Sequence, residues 1–304
     1  MEQTFWVTMK DGTEVFVRKW YKSNTQPRAA IQLSHGMVEH IGRYHEFAEY
    51  LVNEGFVVYG NDHRGHGYTG EKQGLMGYFA EEDGFAKTAD DLYQITEVIK
   101  AEFPSIPVFL LGHSMGSFLV RYYLQKYSKN INGVILSGTG YFPTVQSLAG
   151  KQLAQMLPPK QESKLMNSLA FGSYNKKIKN QNTSFDWLSG DETAIQNYID
   201  DPYTGFIPTA RFFYDLMDGL IQIHNRKDNK QIRADVPMLI ISGDADPVGN
   251  YSKGIWKTAH MFERAGLKNV VTMLFTDGRH ELLNEKNKEV VFEAINNWIS
   301  QSMK

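Results

Sequence analysis

The chain predicts an α/β fold: a mostly parallel central sheet flanked by helices, with a helical cap inserted before the last strands. Three observations carry this expectation. Short apolar runs alternate with amphipathic helical patterns from residue 30 to residue 138. One of those runs, residues 107–111, leads into Gly112-His113-Ser114-Met115-Gly116 and then a helical pattern from Ser117. The rhythm stops over residues 141–233 and then resumes.

Each element has its own local signal. Residues 5–8 and 15–20 alternate apolar and polar positions around Asp11-Gly12, a hairpin pattern. Residues 30–33 read as a strand, about 44–53 as a helix, and 56–59 as the next strand, which ends in a glycine-rich loop. Phe85, Ala89, Leu92, Ile95 and Ile99 recur at helical spacing, so a long amphipathic helix should run to Phe103-Pro104. A strand at 133–136 follows the helix after Gly116. Residues 141–233 are rich in Asn, Gln, Lys and Met and hold no convincing buried strand. Within them, 175–182 read as solvated loop and 206–223 as a helix with one greasy face. The sheet then resumes with a strand at 236–241, a helix at 252–265, a strand at 269–275 and a closing helix at 289–299. The expected organisation is a core of residues 1–140 and 234–304 with a cap or lid of residues 141–233.

Strand, Gly-x-Ser-x-Gly, helix is a sharp turn that holds a serine hydroxyl clear of its own backbone. The two glycines stand where side chains would collide with neighbouring strand and helix. A serine hydroxyl attacks only when a base takes its proton, and that base needs a third group to orient it. In this topology the order is Ser, acid, His, and reactive groups sit on loops at the carboxyl ends of strands. His280 lies in the loop after the last strand and is the expected base, whereas His260 falls within an amphipathic helix and is expected to be structural. The acid should lie in Ser242-Gly243-Asp244-Ala245-Asp246-Pro247, where two aspartates are candidates. Asp244 could cap the turn. Asp246 precedes proline, which holds its backbone extended. The oxyanion of a tetrahedral intermediate needs two backbone N–H groups. Met115, next after Ser114, should supply one and Met37, in the loop after the strand at 30–33, the other.

Composition sets the bounds. The 304 residues suit one α/β domain with an insertion, and 42% hydrophobic with 22% charged residues is ordinary for a chain with a sizeable core. A net charge of −2 gives no basic footprint for nucleic acid or for an anionic membrane. The absence of cysteine excludes disulfides, thiolate metal sites and a cysteine nucleophile. No signal peptide is read at the N-terminus, and no run approaches the ~18 apolar residues of a spanning helix. The expectation is a cytoplasmic protein whose peripheral contact with a membrane or micelle, where made, is through the cap. His35, His63, His66 and His113 read as neutral loop imidazoles, not a metal site, and Asp62 with Arg64 as a structural ion pair. Phe206, Phe212, Phe213, Leu216, Met217 and Leu220 recur at helical spacing, which suits both cap packing and an acyl pocket. Phe213 and Leu216 are the candidate pocket residues.

Five segments together resemble the monoacylglycerol lipase and lysophospholipase branch of the α/β-hydrolase superfamily. They are His35-Gly36-Met37-Val38-Glu39-His40-Ile41-Gly42-Arg43-Tyr44, Asn61-Asp62-His63-Arg64-Gly65-His66-Gly67, the pentapeptide around Ser114, Gly243-Asp244-Ala245-Asp246-Pro247-Val248, and Gly278-Arg279-His280-Glu281-Leu282-Leu283-Asn284-Glu285. The resemblance implies a Ser114, Asp246 and His280 triad, which selects between the two aspartates, and supports Met37 and Met115 as oxyanion donors. It also implies a helical cap that forms an acyl tunnel, with Glu39 and Arg43 as charged substrate contacts on the exit side. Two positions depart from the pattern: Thr69 stands where serine is common, and Leu283 stands where animal monoacylglycerol lipases carry a second histidine. The implied activity is hydrolysis of a small-molecule fatty-acyl ester through an acyl-enzyme, with no cofactor and no metal. Short-chain esterase and thioesterase activities use the same triad, and a ligand receptor on a hydrolase scaffold is the alternative from another class.

Overall fold

The computed structural model describes residues 1–179 and 181–303; position 180, inside the stretch read as solvated loop, lies outside the described residues. Asp11-Gly12 turns the chain as its composition requires. Gly12 has φ +85°, and β1 (Glu2–Thr8) pairs antiparallel with β2 (Glu14–Trp20). Then follow β3 (Ala30–Ser34), α1 (His45–Asn53), β4 (Val57–Asn61), α2 (Gly67–Gln73), α3 (Gly84–Glu102), β5 (Val108–His113), α4 (Met115–Tyr127) and β6 (Gly133–Ser137). The short helix α2 occupies what the sequence suggested was only a glycine-rich loop.

Five helices come next: α5 (Thr144–Gln155), α6 (Lys164–Phe171), α7 (Glu192–Asp200), α8 (Ala210–Gln222) and α9 (Arg226–Asn229). Among the described residues no sheet strand interrupts them. The chain re-enters the sheet with β7 (Met238–Gly243), α10 (Lys253–Ala265), β8 (Val270–Phe275) and α11 (Lys288–Ser302). The spatial order is β1-β2-β4-β3-β5-β6-β7-β8, antiparallel only where β2 joins β1 and β4.

Strands β3 to β7 are buried at every position, as expected when helices cover both faces. Alternate side chains feed different cores: Val108 and Leu110 of β5 join one apolar cluster, Phe109 and Leu111 the other. Edge strand β8 remains partly exposed. β5 is central, and its neighbour β3 runs parallel with Ser34 opposite Gly112. The carboxyl ends of β3 and β5 therefore open side by side, which brings the loop after β3 to the turn after β5.

Candidate active site

Ser114 has φ +51° and ψ −120°, a backbone conformation that L-residues rarely adopt and that persists only where surroundings enforce it. The enforcement is steric. A Cβ on Gly116 would stand 2.1 Å from the carbonyl oxygen of Ser34, so β3 and the start of α4 meet too closely for any side chain. Ser114 N donates to Ser137 O at 2.9 Å, tying the turn to β6. The hydroxyl faces a chamber of about 310 Å³ and makes no hydrogen bond to a described residue in this conformation. Nucleophile–base contacts often close only with substrate bound.

The acid and base loops touch through backbone. A Cβ on Gly243 would lie 1.8 Å from Gly278 O, so only glycine lets the loop after β7 reach the loop after β8. Asp246 and His280 meet there: His280 Nδ1 is 3.0 Å from both Asp246 oxygens, and both side chains are buried. Burial alone would lower the pKa of His280, but the Asp246 carboxylate reverses this and raises it above 6.5. Asp246 Oδ1 also accepts from Val248 N at 2.8 Å, which sets the carboxylate's angle. Asp244 caps the neighbouring turn instead, accepting from Asp277 N at 2.8 Å.

His280 lies between two rings, His113 at 4.7 Å and Trp187 at 5.0 Å between centroids. Burial holds His113 down to about 3, so it packs as a neutral ring. The strip 186–190 of the helical insertion clamps the histidine loop. Glu281 N donates to Leu188 O at 2.7 Å, and Arg279 Nη1 donates to Asp186 O at 2.5 Å and Ser189 O at 2.7 Å. Sequence reasoning missed this strip, whose one local signal is the pair of aromatics Phe185 and Trp187 flanking Asp186.

Met115 opens α4, where the first N–H groups have no partner within the helix. Met37 N likewise has no acceptor among the described residues, while the preceding Gly36 N donates to Glu39 Oε1 at 2.5 Å. Met37 and Ser114 line the chamber, and Met115 follows Ser114 directly in the chain.

Glu39 lines the chamber, but its carboxylate is turned into protein. It accepts from Tyr44 Oη at 2.9 Å and from Arg43 Nη1 at 2.7 Å. Arg43 also grips Glu281 with two bonds of 2.8 and 2.6 Å and lies over Tyr198 at 4.8 Å. Arg43 is thus not a chamber residue: two buried carboxylates compete for its guanidinium and hold it beneath the wall. Burial raises Glu39, with Arg43 opposing; for Glu281 the Arg43 pair outweighs burial and holds it down to about 2. Leu283 lines the same small hollow as Glu39, Arg43 and Glu281.

Phe213 and Leu216 are placed away from the chamber. Helix α8 begins at Ala210, not at 206, and packs on α5, α3 and α4, so its apolar stripe closes the core. Phe206 precedes the helix and does line the chamber. So do Asn175 and Gln181, from the stretch expected to be solvated, together with Phe171, Phe185, Trp187, Leu188 and Tyr198. Asp62 does not pair with Arg64. Its oxygens accept from Ile41 N and Tyr68 N, while Arg64 pairs with Asp11 and Asp91. Thr69 Oγ1 donates to Asp62 O at 2.8 Å, the role a serine could also fill. His35, His63 and His66 are fully buried, and burial lowers all three, His63 to about 3 and His66 to about 4. His260 is exposed and pairs with Glu263 at 2.9 Å. No helix of the described residues is long and apolar enough to cross a membrane.

A Ser turn lining a chamber with His280, a buried Asp–His pair and unpartnered N–H groups at Met37 and Met115 define a serine hydrolase of the α/β-hydrolase fold. The family model described as serine aminopeptidase, S33 (Hydrolase_4) matches residues 25–287, and the chain belongs to that family. The chain is 28% identical to the monoglyceride lipase of Homo sapiens over 301 residues, covering 96% of this chain and 88% of the relative. It is 27% identical to the monoacylglycerol lipase of Mycolicibacterium smegmatis, covering 91% and 89%. A carboxyl esterase of Bacillus coagulans, solved in complex with glycerol, superimposes with a TM-score of 0.91 at 26% identity over 100% of this chain and 99% of that one.

Proposed function

We propose that the protein hydrolyses carboxylic esters of fatty acids, with monoacylglycerols as the leading substrate class. The Asp246–His280 contact carries the reading, because two 3.0 Å approaches to Nδ1 leave Nε2 as the free proton acceptor. Ser114 Oγ attacks the ester carbonyl carbon while its proton passes to His280 Nε2. The oxyanion is held by the N–H groups of Met37 and Met115. His280 then protonates the departing glycerol oxygen, leaving an acyl-enzyme. Water, deprotonated by the same imidazole, attacks that ester and releases the fatty acid and Ser114.

The chamber supports an amphiphilic substrate. Phe171, Phe185, Leu188 and Phe206 offer apolar wall for an acyl chain, and Asn167, Ser168, Asn175 and Gln181 offer hydrogen bonds to a hydroxylated head. Residues 141–233 act as the cap that supplies all of these groups, over a catalytic core of residues 1–140 and 234–304. The relatives named for monoglyceride hydrolysis point to the same substrate class.

Ser114→Ala should abolish hydrolysis of p-nitrophenyl acyl esters and labelling by a fluorophosphonate probe; undiminished turnover would refute the assignment. A panel of monoacylglycerols, lysophospholipids and short p-nitrophenyl esters reads the head group. A higher kcat/KM on lysophospholipids than on monoacylglycerols would overturn the substrate class without touching the triad.

A further inference from the structure

A second hollow, about 490 Å³, lies where the helical insertion leaves and rejoins the core. It shares no lining residue with the Ser114 chamber. Tyr141 and Thr144 come from the start of the insertion, His224 to Lys230 from its end, and Lys257 to Ala265 from α10. Four cations line it: Arg226, Lys230, Lys257 and Arg264. Among the described residues none of the four makes an ion pair within 4.0 Å, and no carboxylate lines the hollow. Of the acidic residues on the same elements, Glu263 is engaged by His260, and Asp228 is not part of the wall. Four uncompensated positive charges in one hollow are conspicuous on a chain whose net charge is −2.

Two buried groups sharpen the point. Arg121 lies behind the lining residue Met261, with Nη2 3.9 Å from its sulfur. It is fully buried, donates to Gly140 O at 2.7 Å, has no carboxylate within 4.0 Å among the described residues, and leaves Nε without a partner. Burial pulls its pKa down to about 9, the mark of a cation lacking its counter-charge. His224, in the wall, contacts Leu220 O through Nδ1 at 2.7 Å, and burial lowers it to about 4. The neutral ring therefore donates from Nδ1, and Nε2, buried and unpartnered, is a lone-pair acceptor. A fitting ligand brings anionic oxygens for the four cations and an O–H for His224.

We propose that this hollow binds a phosphate group, either free, as inorganic phosphate or a small phosphomonoester, or as the headgroup of an anionic phospholipid. Its position spans both stems of the insertion and α10, so an occupant would join insertion to core. Bidentate Arg contacts and point-charge Lys contacts are the usual means of holding such a group.

The test compares wild type with Lys257→Gln/Arg264→Gln, whose side chains are exposed. A control, Lys129→Gln/Lys286→Gln, removes the same charge from exposed positions outside the hollow. Inorganic phosphate and glycerol 3-phosphate are titrated calorimetrically at constant ionic strength, and co-sedimentation is measured with phosphatidylglycerol and phosphatidylcholine vesicles. The expected result is saturable binding that falls roughly 100-fold in the first variant, about tenfold per cation lost, and is retained in the control. Binding of the free anions assigns the site to a soluble phosphate. Retention on phosphatidylglycerol alone assigns it to a headgroup. Absence of saturable binding in every arm, or equal losses in both variants, overturns the proposal.

Discussion

Asp246→Asn tests the central contact because its size follows from the geometry. The carboxylate lies 3.0 Å from His280 Nδ1, and neither side chain is exposed by more than 2%. At that separation, with an effective dielectric constant near 20, the attraction between carboxylate and developing imidazolium is about 5 kcal/mol. An asparagine retains a dipole, so the loss should be about 4–5 kcal/mol, or ~10³–10⁴ in kcat. Asparagine can also reverse the imidazole tautomer and place a hydrogen on Nε2, where the serine proton must go. The assay is kcat/KM for p-nitrophenyl hexanoate across pH, with active sites counted by a fluorophosphonate. In the wild type His280 must be neutral to act, so activity rises as pH passes its pKa, and that limb should lie above 6.5. Removing the carboxylate takes away the strongest opposition to burial, leaving only Glu281 and Glu39 to raise the pKa, and moves the limb to lower pH. Asp244→Asn, which alters only the cap on Asp277 N, should stay within a few-fold of wild type. A loss below tenfold in Asp246→Asn, or a larger loss in Asp244→Asn, would show that another group orients the imidazole.

Three further expectations concern packing and charge. Arg43→Met leaves Glu39 and Glu281 buried without their cation, and urea denaturation should register a loss of about 3–5 kcal/mol; a change below ~1 kcal/mol would mean the three side chains do not act as a unit. Phe213→Ala removes a fully buried ring from the core and should cost about 3–5 kcal/mol in the same assay with little effect on KM. Phe206→Ala should do the reverse, raising KM for longer acyl chains while stability moves little; the opposite assignment would undo the distinction between wall and core.

Most of the architecture was legible in the chain because its signals are local. Glycine and proline punctuate the turns, period-2 and helical patterns mark strands and helices, and the order of strands limits where Ser114, an aspartate and His280 can emerge. That logic identified the loops but stopped at the choice between Asp244 and Asp246, which are two positions apart on one turn. Resemblance selected Asp246, and tertiary contact gave it a physical basis: Gly243 against Gly278 delivers one carboxylate to His280 and leaves the other capping backbone.

The sequence by itself determined the fold class, the elbow at Ser114 and the chain order of acid and base, since each follows from short-range sterics and periodicity. Only the tertiary structure decided that Arg64 reaches Asp11 and Asp91 instead of Asp62, that Arg43 is held between two carboxylates below the chamber, and that α8 turns Phe213 into the core while Phe206 meets the chamber. Those outcomes depend on which distant element packs against each residue. A helical stripe records that it will be covered, and a charge that it will be satisfied, but the covering and pairing groups come from elsewhere in the chain.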